Sequence, residues 1–263
     1  MSDAAPPRRT RLNKLLAERI GLARRKCDEA IQAGEVAIDG EVVTTPGVSL
    51  DPTEHRITWR GRPIPRAPAS FYFALNKPRG VMVTWSDPEG RTTIEEYVPR
   101  GLPRLFAVGR LDYDTSGLLL LTNDGPLAHR LTHPRYEVPK TYRLTLGGPP
   151  GESALEALRR GVVLDDGERT QPAQAEAHGT TVLLTIAEGK NRQVRRMCKA
   201  LDLPLDQLER IAFGPVRLGD LASGETRPLT REEIRRLRAA STGPGGTPDA
   251  GGGVQPRVVR RRR

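Results

Sequence analysis

The sequence predicts an α+β fold, with a small helix-and-hairpin unit followed by a larger one on a mixed, largely antiparallel sheet. Three observations predict it. Apolar residues recur at helical spacing near the N-terminus and in four short later stretches, with short apolar runs between them. Asp39-Gly40 sits between two extended runs, a strong hairpin signal because both central positions of a type I′ turn need positive φ. Beyond residue 70, strands and helices do not alternate in the regular way of a doubly wound sheet.

Taken in order, Leu12, Leu15, Leu16 and Ile20 mark one short helix and Ala23, Cys27, Ala30 and Ile31 a second, separated at Gly21. Gly34 is the stop signal. The hairpin follows over 36–43, and a strand over 55–59 closes the unit. Three prolines at 63, 65 and 68 make 62–68 a linker. Strands are then expected over 71–75, 81–84, 105–108, 118–122, 141–146, 180–187 and 208–213, and helices over 126–131, 153–160, 192–201 and 231–237. The last opens on Thr230 with Glu233 three residues on, a capping box. Residues 241–263, rich in glycine and ending in four arginines, are expected to be a disordered basic tail. The domains are thus 8–66, 70–240 and the tail.

Of 263 residues, 37% are hydrophobic and 4% aromatic, so leucine, valine, isoleucine and alanine must build the core. No apolar run of about 18 residues occurs, which argues against a membrane-spanning helix. The first residues lack the apolar stretch of a secretory signal. Cys27 and Cys198 lie far apart, without the spacing of a disulfide framework or a zinc site. A cytoplasmic monomer is expected. The net charge of +10 suggests an anionic partner, and its clustering says more. Residues 8–26, with Arg24, Arg25 and Lys26 at their end, hold eight bases and one acid. Lys190, Arg192, Arg195, Arg196 and Lys199 form a second cluster. Such clusters bind phosphates or are merely solvated helix faces.

Chemistry is densest in Gly109-Arg110-Leu111-Asp112-Tyr113-Asp114-Thr115-Ser116-Gly117, two carboxylates on a polar, glycine-bounded loop between expected strands. An ordinary charged turn would look similar. A calcium loop fits worse: Asp112, Asp114, Ser116 and Gly117 match its early positions, but Asn123 stands where the bidentate glutamate must be. His129 and His133 have no acidic ligand beside them and are read as non-metal. Asn76-Lys77-Pro78-Arg79-Gly80 reads as a turn, and Lys140-Thr141-Tyr142 as a strand start. In the helix after Asn191, the apolar stripe is Val194, Met197, Cys198 and Leu201. Arg195 borders it, while Arg192, Arg196 and Lys199 face away.

Together the stretches 76–80, 109–125 (GRLDYDTSGLLLLTNDG), 140–142 and 188–198 (EGKNRQVRRMC) resemble the RsuA/RluB-type family of pseudouridine synthases. The likeness covers roughly residues 10–240 and is nearest to the RluB-like branch, with the 191–198 segment also near RluF. Residues 8–66 resemble the small RNA-binding module shared with the fourth small-subunit ribosomal protein. The resemblance implies a catalytic domain that isomerises uridine in ribosomal RNA, first among candidates uridine 2605 of 23S rRNA near the peptidyl-transferase centre. Other 23S or 16S uridines (RluF-, RluE- or RsuA-like) are alternatives, as is a non-catalytic RNA-binding assembly factor.

The reaction so implied breaks N1–C1′, turns the uracil and joins C5 to C1′, with no cofactor and no metal. By resemblance Asp112 is the carboxylate that acts at the sugar, Tyr142 stacks on the flipped uracil, and Arg195 pairs with Asp112 to keep it ionised. Val194 packs beneath the base and Arg110 helps hold the RNA strand open. Lys77, Lys190, Arg192, Arg196 and the Arg24-Arg25-Lys26 cluster are the expected RNA contacts. Asp114 is read as a loop-shaping residue.

Overall fold

The computed structural model describes residues 9–66 and 69–241. The chain divides into two units, Met1–Ala69 and Ser70–Arg263. The basic tail falls almost wholly outside the described residues.

The first unit is ordered as β1 (Thr10–Arg11), α1 (Leu12–Ile20), α2 (Arg24–Gln32), β2 (Val36–Ile38), β3 (Glu41–Val43), β4 (Ser49–Leu50), β5 (Ile57–Trp59) and β6 (Arg62–Pro63). Gly21 ends α1 in the left-handed region, at φ 75°, and its N–H closes on the Ala17 carbonyl at 3.2 Å. Asp39 and Gly40 both take positive φ, 52° and 93°, so Ile38 pairs with Glu41 across a tight turn. Strands run β3-β2-β5-β6, and β1 pairs with β4. Leu12, Leu16, Cys27, Ile31 and Val36 are the fully buried centre. Part of the expected linker is strand instead: Arg62 and Pro63 pair with Trp59 and Thr58. Proline is tolerated there because an edge strand has one unpaired side.

In the second unit β7 (Tyr72–Lys77), β8 (Phe106–Ala107), β9 (Ser116–Thr122), α3 (Gly125–Thr132), β10 (Lys140–Leu146), α4 (Glu152–Arg160), β11 (Gln174–His178), β12 (Thr181–Ile186), α5 (Gln193–Ala200), β13 (Leu205–Phe213), β14 (Val216–Arg217), β15 (Thr226–Pro228) and α6 (Arg231–Ala240) follow in turn. The sheet order is β11-β12-β10-β13-β9-β7-β15, with β8 on β9 and β14 on β13. Every pair is antiparallel except β9 with β13, which run parallel. Leucines 118–121 of β9 are buried on both faces, alternating between two apolar clusters. A central strand covered on both sides reads as a continuous apolar run for this reason. Thr230 and Glu233 close the capping box of α6 as expected.

One expected strand is missing, and strands appear where none was expected. Residues 81–84 form no strand. Met82 makes one isolated bridge to Thr93, while Val81 and Val83 fill the cluster around Phe73 and Leu75 through their side chains. Gln174–His178, an edge strand, was not expected because Gln, Ala and Glu have little strand preference.

The parallel junction depends on one glycine. Gly117 sits at φ 103°, and a Cβ there would lie 2.3 Å from the Arg210 carbonyl oxygen and 2.7 Å from its nitrogen. Neither backbone can yield without opening the sheet. Gly117→Ala should therefore cost more than about 2 kcal/mol in urea unfolding, well above the cost of an exposed glycine replacement. A loss below about 0.5 kcal/mol would mean that β9 and β13 part easily.

Candidate active site

Three strands and one helix converge on the loop that joins β8 to β9. It starts at Gly109, with φ 74°, and reaches Asp112 and Asp114 before entering β9. Its backbone is tied on several sides. Thr115 N–H donates to the Asp112 carbonyl (3.1 Å) and Gly80 N–H to the Tyr113 carbonyl (2.8 Å). Arg195 Nη2 donates to the Asp114 carbonyl at 2.8 Å and to Thr115 Oγ1 at 3.3 Å. From below, Arg210 Nε donates to the Leu118 carbonyl at 2.7 Å, and Nη1 makes a long 3.5 Å contact to the Arg110 carbonyl.

The two carboxylates have unlike surroundings. Asp114 takes a two-pronged guanidinium contact from Arg192, Nη1 to Oδ1 at 3.2 Å and Nη2 to Oδ2 at 3.0 Å, and lies 3.2 Å from Arg195 Nε. Burial pushes the Asp114 carboxyl up, but Arg192 and the Arg195 charge outweigh it and hold it below the usual range. Asp112 is half-buried, and its ion pair is the long one to Arg192 at 3.9 Å. Among the described residues no donor hydrogen-bonds its carboxylate. Its oxygens are left to face a cavity of about 360 Å³, which Tyr142, Val194, Lys140, Arg210 and Phe213 also line.

Each wall residue is placed by an element. Lys140 and Tyr142, two apart on β10, lie opposite Phe213 and Arg210 of β13. Val194, 4% exposed, closes the wall from the first turn of α5. The turn before α5 is fixed by Gln193, whose Nε2 donates to Glu188 at 2.6 Å and whose Oε1 accepts the Lys190 N–H at 3.0 Å.

The structure corrects several expectations. Arg195 pairs directly with Asp114, not with Asp112. Arg192 does not face away. It precedes the helix at φ 46°, a left-handed conformation rare outside glycine, and this turns its side chain towards both aspartates. Helical phase could not show this, because Arg192 is not on the helix. Lys77 is no surface contact for RNA. It is fully buried, and Nζ donates to the carbonyls of Pro78 (2.8 Å) and Val81 (2.9 Å), clasping the turn beneath the loop. Arg196 faces away as expected, but Asp165 and Asp166 hold it at 2.5 and 2.6 Å. Lys190 lines the cavity rim while pairing with Glu168 at 2.7 Å. Arg110 is exposed on the rim. In the first unit Arg24, Arg25 and Lys26 are exposed on the first turn of α2, where Lys26 pairs with Glu29.

Arg210 and Lys140 were missed as site residues. For Arg210 the signal was a lone charge in an otherwise apolar strand end, Arg-Ile-Ala-Phe. Burial lowers Lys77 to about 8, against the opposing pull of Asp112 and Asp114, and Arg210 adds to the fall. Burial and Arg210 likewise hold Lys140 at about 8. A lysine with its folded pKa below its unfolded one of about 10.5 destabilises the fold while charged. Between the two values the unfolded chain binds more protons, so stability rises with pH. Wild type should therefore gain about 1 kcal/mol relative to Lys77→Met between pH 8 and about 9.5 in urea unfolding. A pH-independent difference would show that Lys77 titrates normally.

Comparison with known proteins shows the family. The RNA pseudouridylate synthase family model matches residues 71–200, and the S4 domain model residues 10–55. The chain is 41% identical over 236 residues to ribosomal large subunit pseudouridine synthase B of Bacillus subtilis (strain 168), covering 87% of this chain and 96% of that protein. It is 39% identical over 227 residues to ribosomal small subunit pseudouridine synthase A of Escherichia coli (strain K12), covering 85% and 98%. A crystal structure of a pseudouridylate synthase superposes with a TM-score of 0.65 at 38% identity, over 86% of this chain and 99% of that one. The chain belongs to the RsuA/RluB-type family of RNA pseudouridine synthases.

Proposed function

We propose that this enzyme isomerises a uridine of ribosomal RNA to pseudouridine, that its substrate is large-subunit rRNA, and that uridine 2605 of 23S rRNA is the target. The observation that carries the chemistry is Asp112, a carboxylate that accepts no hydrogen bond among the described residues and stands at the wall of a cavity walled also by Tyr142 and Val194. The cavity suits a nucleobase taken out of its stack, with an aromatic ring and a valine to hold its faces. Asp112 serves the sugar by one of two routes, attack on C1′ as in retaining glycosidases or removal of the C2′ proton. Either route releases uracil as a stabilised anion, which turns and rejoins through C5. Arg192 and Arg195, fastened to Asp114, keep the loop in place for this.

The large-subunit assignment rests on the B. subtilis relative and on the RluB-like sequence of the loop. The E. coli small-subunit enzyme is nearly as similar. Carbodiimide mapping of pseudouridine after incubation of the protein with 23S and 16S transcripts separates the two. Pseudouridine at uridine 2605 of 23S RNA is the expected result; modification in 16S RNA alone would overturn the target, and in neither RNA the activity.

Asp112→Asn changes little in size but removes the charge. It should lower turnover by more than about 1,000-fold, with thermal stability and RNA affinity near wild type. Turnover within about tenfold of wild type would remove Asp112 from the reaction.

The exposed Arg24 and Arg25 support the reading of α2 as a phosphate-binding face. Replacing both with alanine should weaken RNA binding and reduce the slope of log affinity against log salt by about 0.7 for each lost contact. An unchanged slope in filter binding would place the phosphates elsewhere.

A further inference from the structure

Three cations lie at or beneath the cavity, Lys77 and Arg210 buried and Lys140 half-buried, and among the described residues none of them forms an ion pair. Arg210 is 2% exposed, and its Nη2 meets no partner at all. Lys140 Nζ donates to the Val138 carbonyl at 2.8 Å, which uses one of its three N–H groups. Its ammonium sits 5.5 Å from the Phe213 ring, and the Arg210 guanidinium 5.2 Å from the same ring. Lys77 is spent on two carbonyls. Like charges gathered in a low-dielectric place cost free energy until an anion joins them. Asp114 is already taken by two arginines, so the cluster is short of negative charge, and the cavity is where such charge can arrive.

The isomerisation proposed above, on which this inference rests, supplies it. When N1–C1′ breaks, both bonding electrons stay with the uracil and spread over N1, O2 and O4. Asp112 compensates on the sugar, by bonding C1′ or by taking the C2′ proton. The ring then turns and C5 bonds to C1′. Asp112 leaves C1′ or returns its proton to C2′, C5 loses its proton, N1 gains one, and atoms and electrons balance. Between the two bond changes the ring carries a full negative charge beside Tyr142. Lys140, two residues from Tyr142 on β10, shares its face of the strand and lines the same cavity.

We propose that Lys140, with Arg210 in the same wall, is the catalytic cation that neutralises the detached uracil, its ammonium N–H groups donating to the anionic ring while it is free. Phosphates have other partners: Arg110 and Arg192 are exposed at the rim, whereas Phe213 and Arg210 beside Lys140 are buried. Groups aimed at charge that exists only after bond breaking accelerate that step and contribute little to binding.

Fluorine at C5 withdraws electrons and makes uracil a better leaving group, so a missing cation should matter less. The test is single-turnover consumption of the target nucleoside at saturating full-length enzyme, on 23S rRNA transcripts made with uridine or with 5-fluorouridine, read by mass spectrometry of digested RNA. Lys140→Gln should slow the uridine reaction roughly 50-fold or more, with RNA affinity within about twofold of wild type. The penalty on 5-fluorouridine RNA should be at least about fivefold smaller, and Lys140→Arg should recover part of the loss. Should Lys140→Gln fail to fold, Lys140→Met, which keeps the apolar stem over Phe213, is read in the same way. Equal penalties on the two RNAs with an active wild type overturn this inference alone. So does a loss of affinity with a reduced salt slope, which would make Lys140 a phosphate contact. A wild type inactive on 23S and 16S transcripts overturns the function and the inference together.

Discussion

The close backbone approach of Gly117 to Arg210 is the contact on which the site hangs. It joins β9 to β13 in parallel over two register pairs, inside a sheet that is otherwise antiparallel. Because the strands meet there, the loop that precedes β9 must leave the sheet beside the middle of β13. Arg210 is thereby brought beneath that loop, where its side chain reaches back to the Leu118 carbonyl. The glycine thus fixes where the aspartates stand and which cation lies under them. A side chain at that position would separate the two halves of the sheet before it touched any substrate.

Charge within the site is divided between holding and acting. Asp114 pairs with both Arg192 and Arg195, and the three tie α5 to the loop. Asp112 stands beyond hydrogen-bonding reach of that network, 3.9 Å from Arg192, and among the described residues its oxygens accept no hydrogen bond. A carboxylate that shapes a loop needs donors around it, while one that reacts must be free of them. The geometry separates these roles by two positions in sequence. Since the holding residues share partners, the effects of replacing Asp114, Arg192 and Arg195 will not add.

Much of this was legible from the residues alone. The Asp39-Gly40 turn, the two short helices, the capping box and the strand over 118–122 all follow from local pattern. The polar loop of Asp112 stood out by composition, whereas grouping Tyr142, Val194 and Arg195 with it came only from the resemblance to a known family. What was lost depended on three-dimensional detail that periodicity does not carry. Arg192 was assigned a helical phase, but a positive φ takes it off the helix. Lys77 looked like a surface base in a turn, and only the fold shows two carbonyls closing over it. Arg210 and Lys140 sit in strands whose partners are distant in sequence, so nothing local reveals that they share a wall. Residues 81–84 have the composition of a strand, but their apolar side chains are consumed by a cluster and their backbone makes only the single bridge from Met82 to Thr93.

Cys27 and Cys198 are both buried, at 0% and 1% exposure, and burial pushes the Cys198 thiol up to about 11. Burial keeps both sulfurs out of reach of alkylating reagents in the folded chain, and Cys198 is held in its unreactive thiol form as well. The folded chain is accordingly a silent background for sulfur chemistry. A single cysteine introduced on an exposed position, in either unit, could carry a fluorophore or spin label without competition. Distances between labelled positions and a labelled RNA could then be followed in solution with the native cysteines left in place.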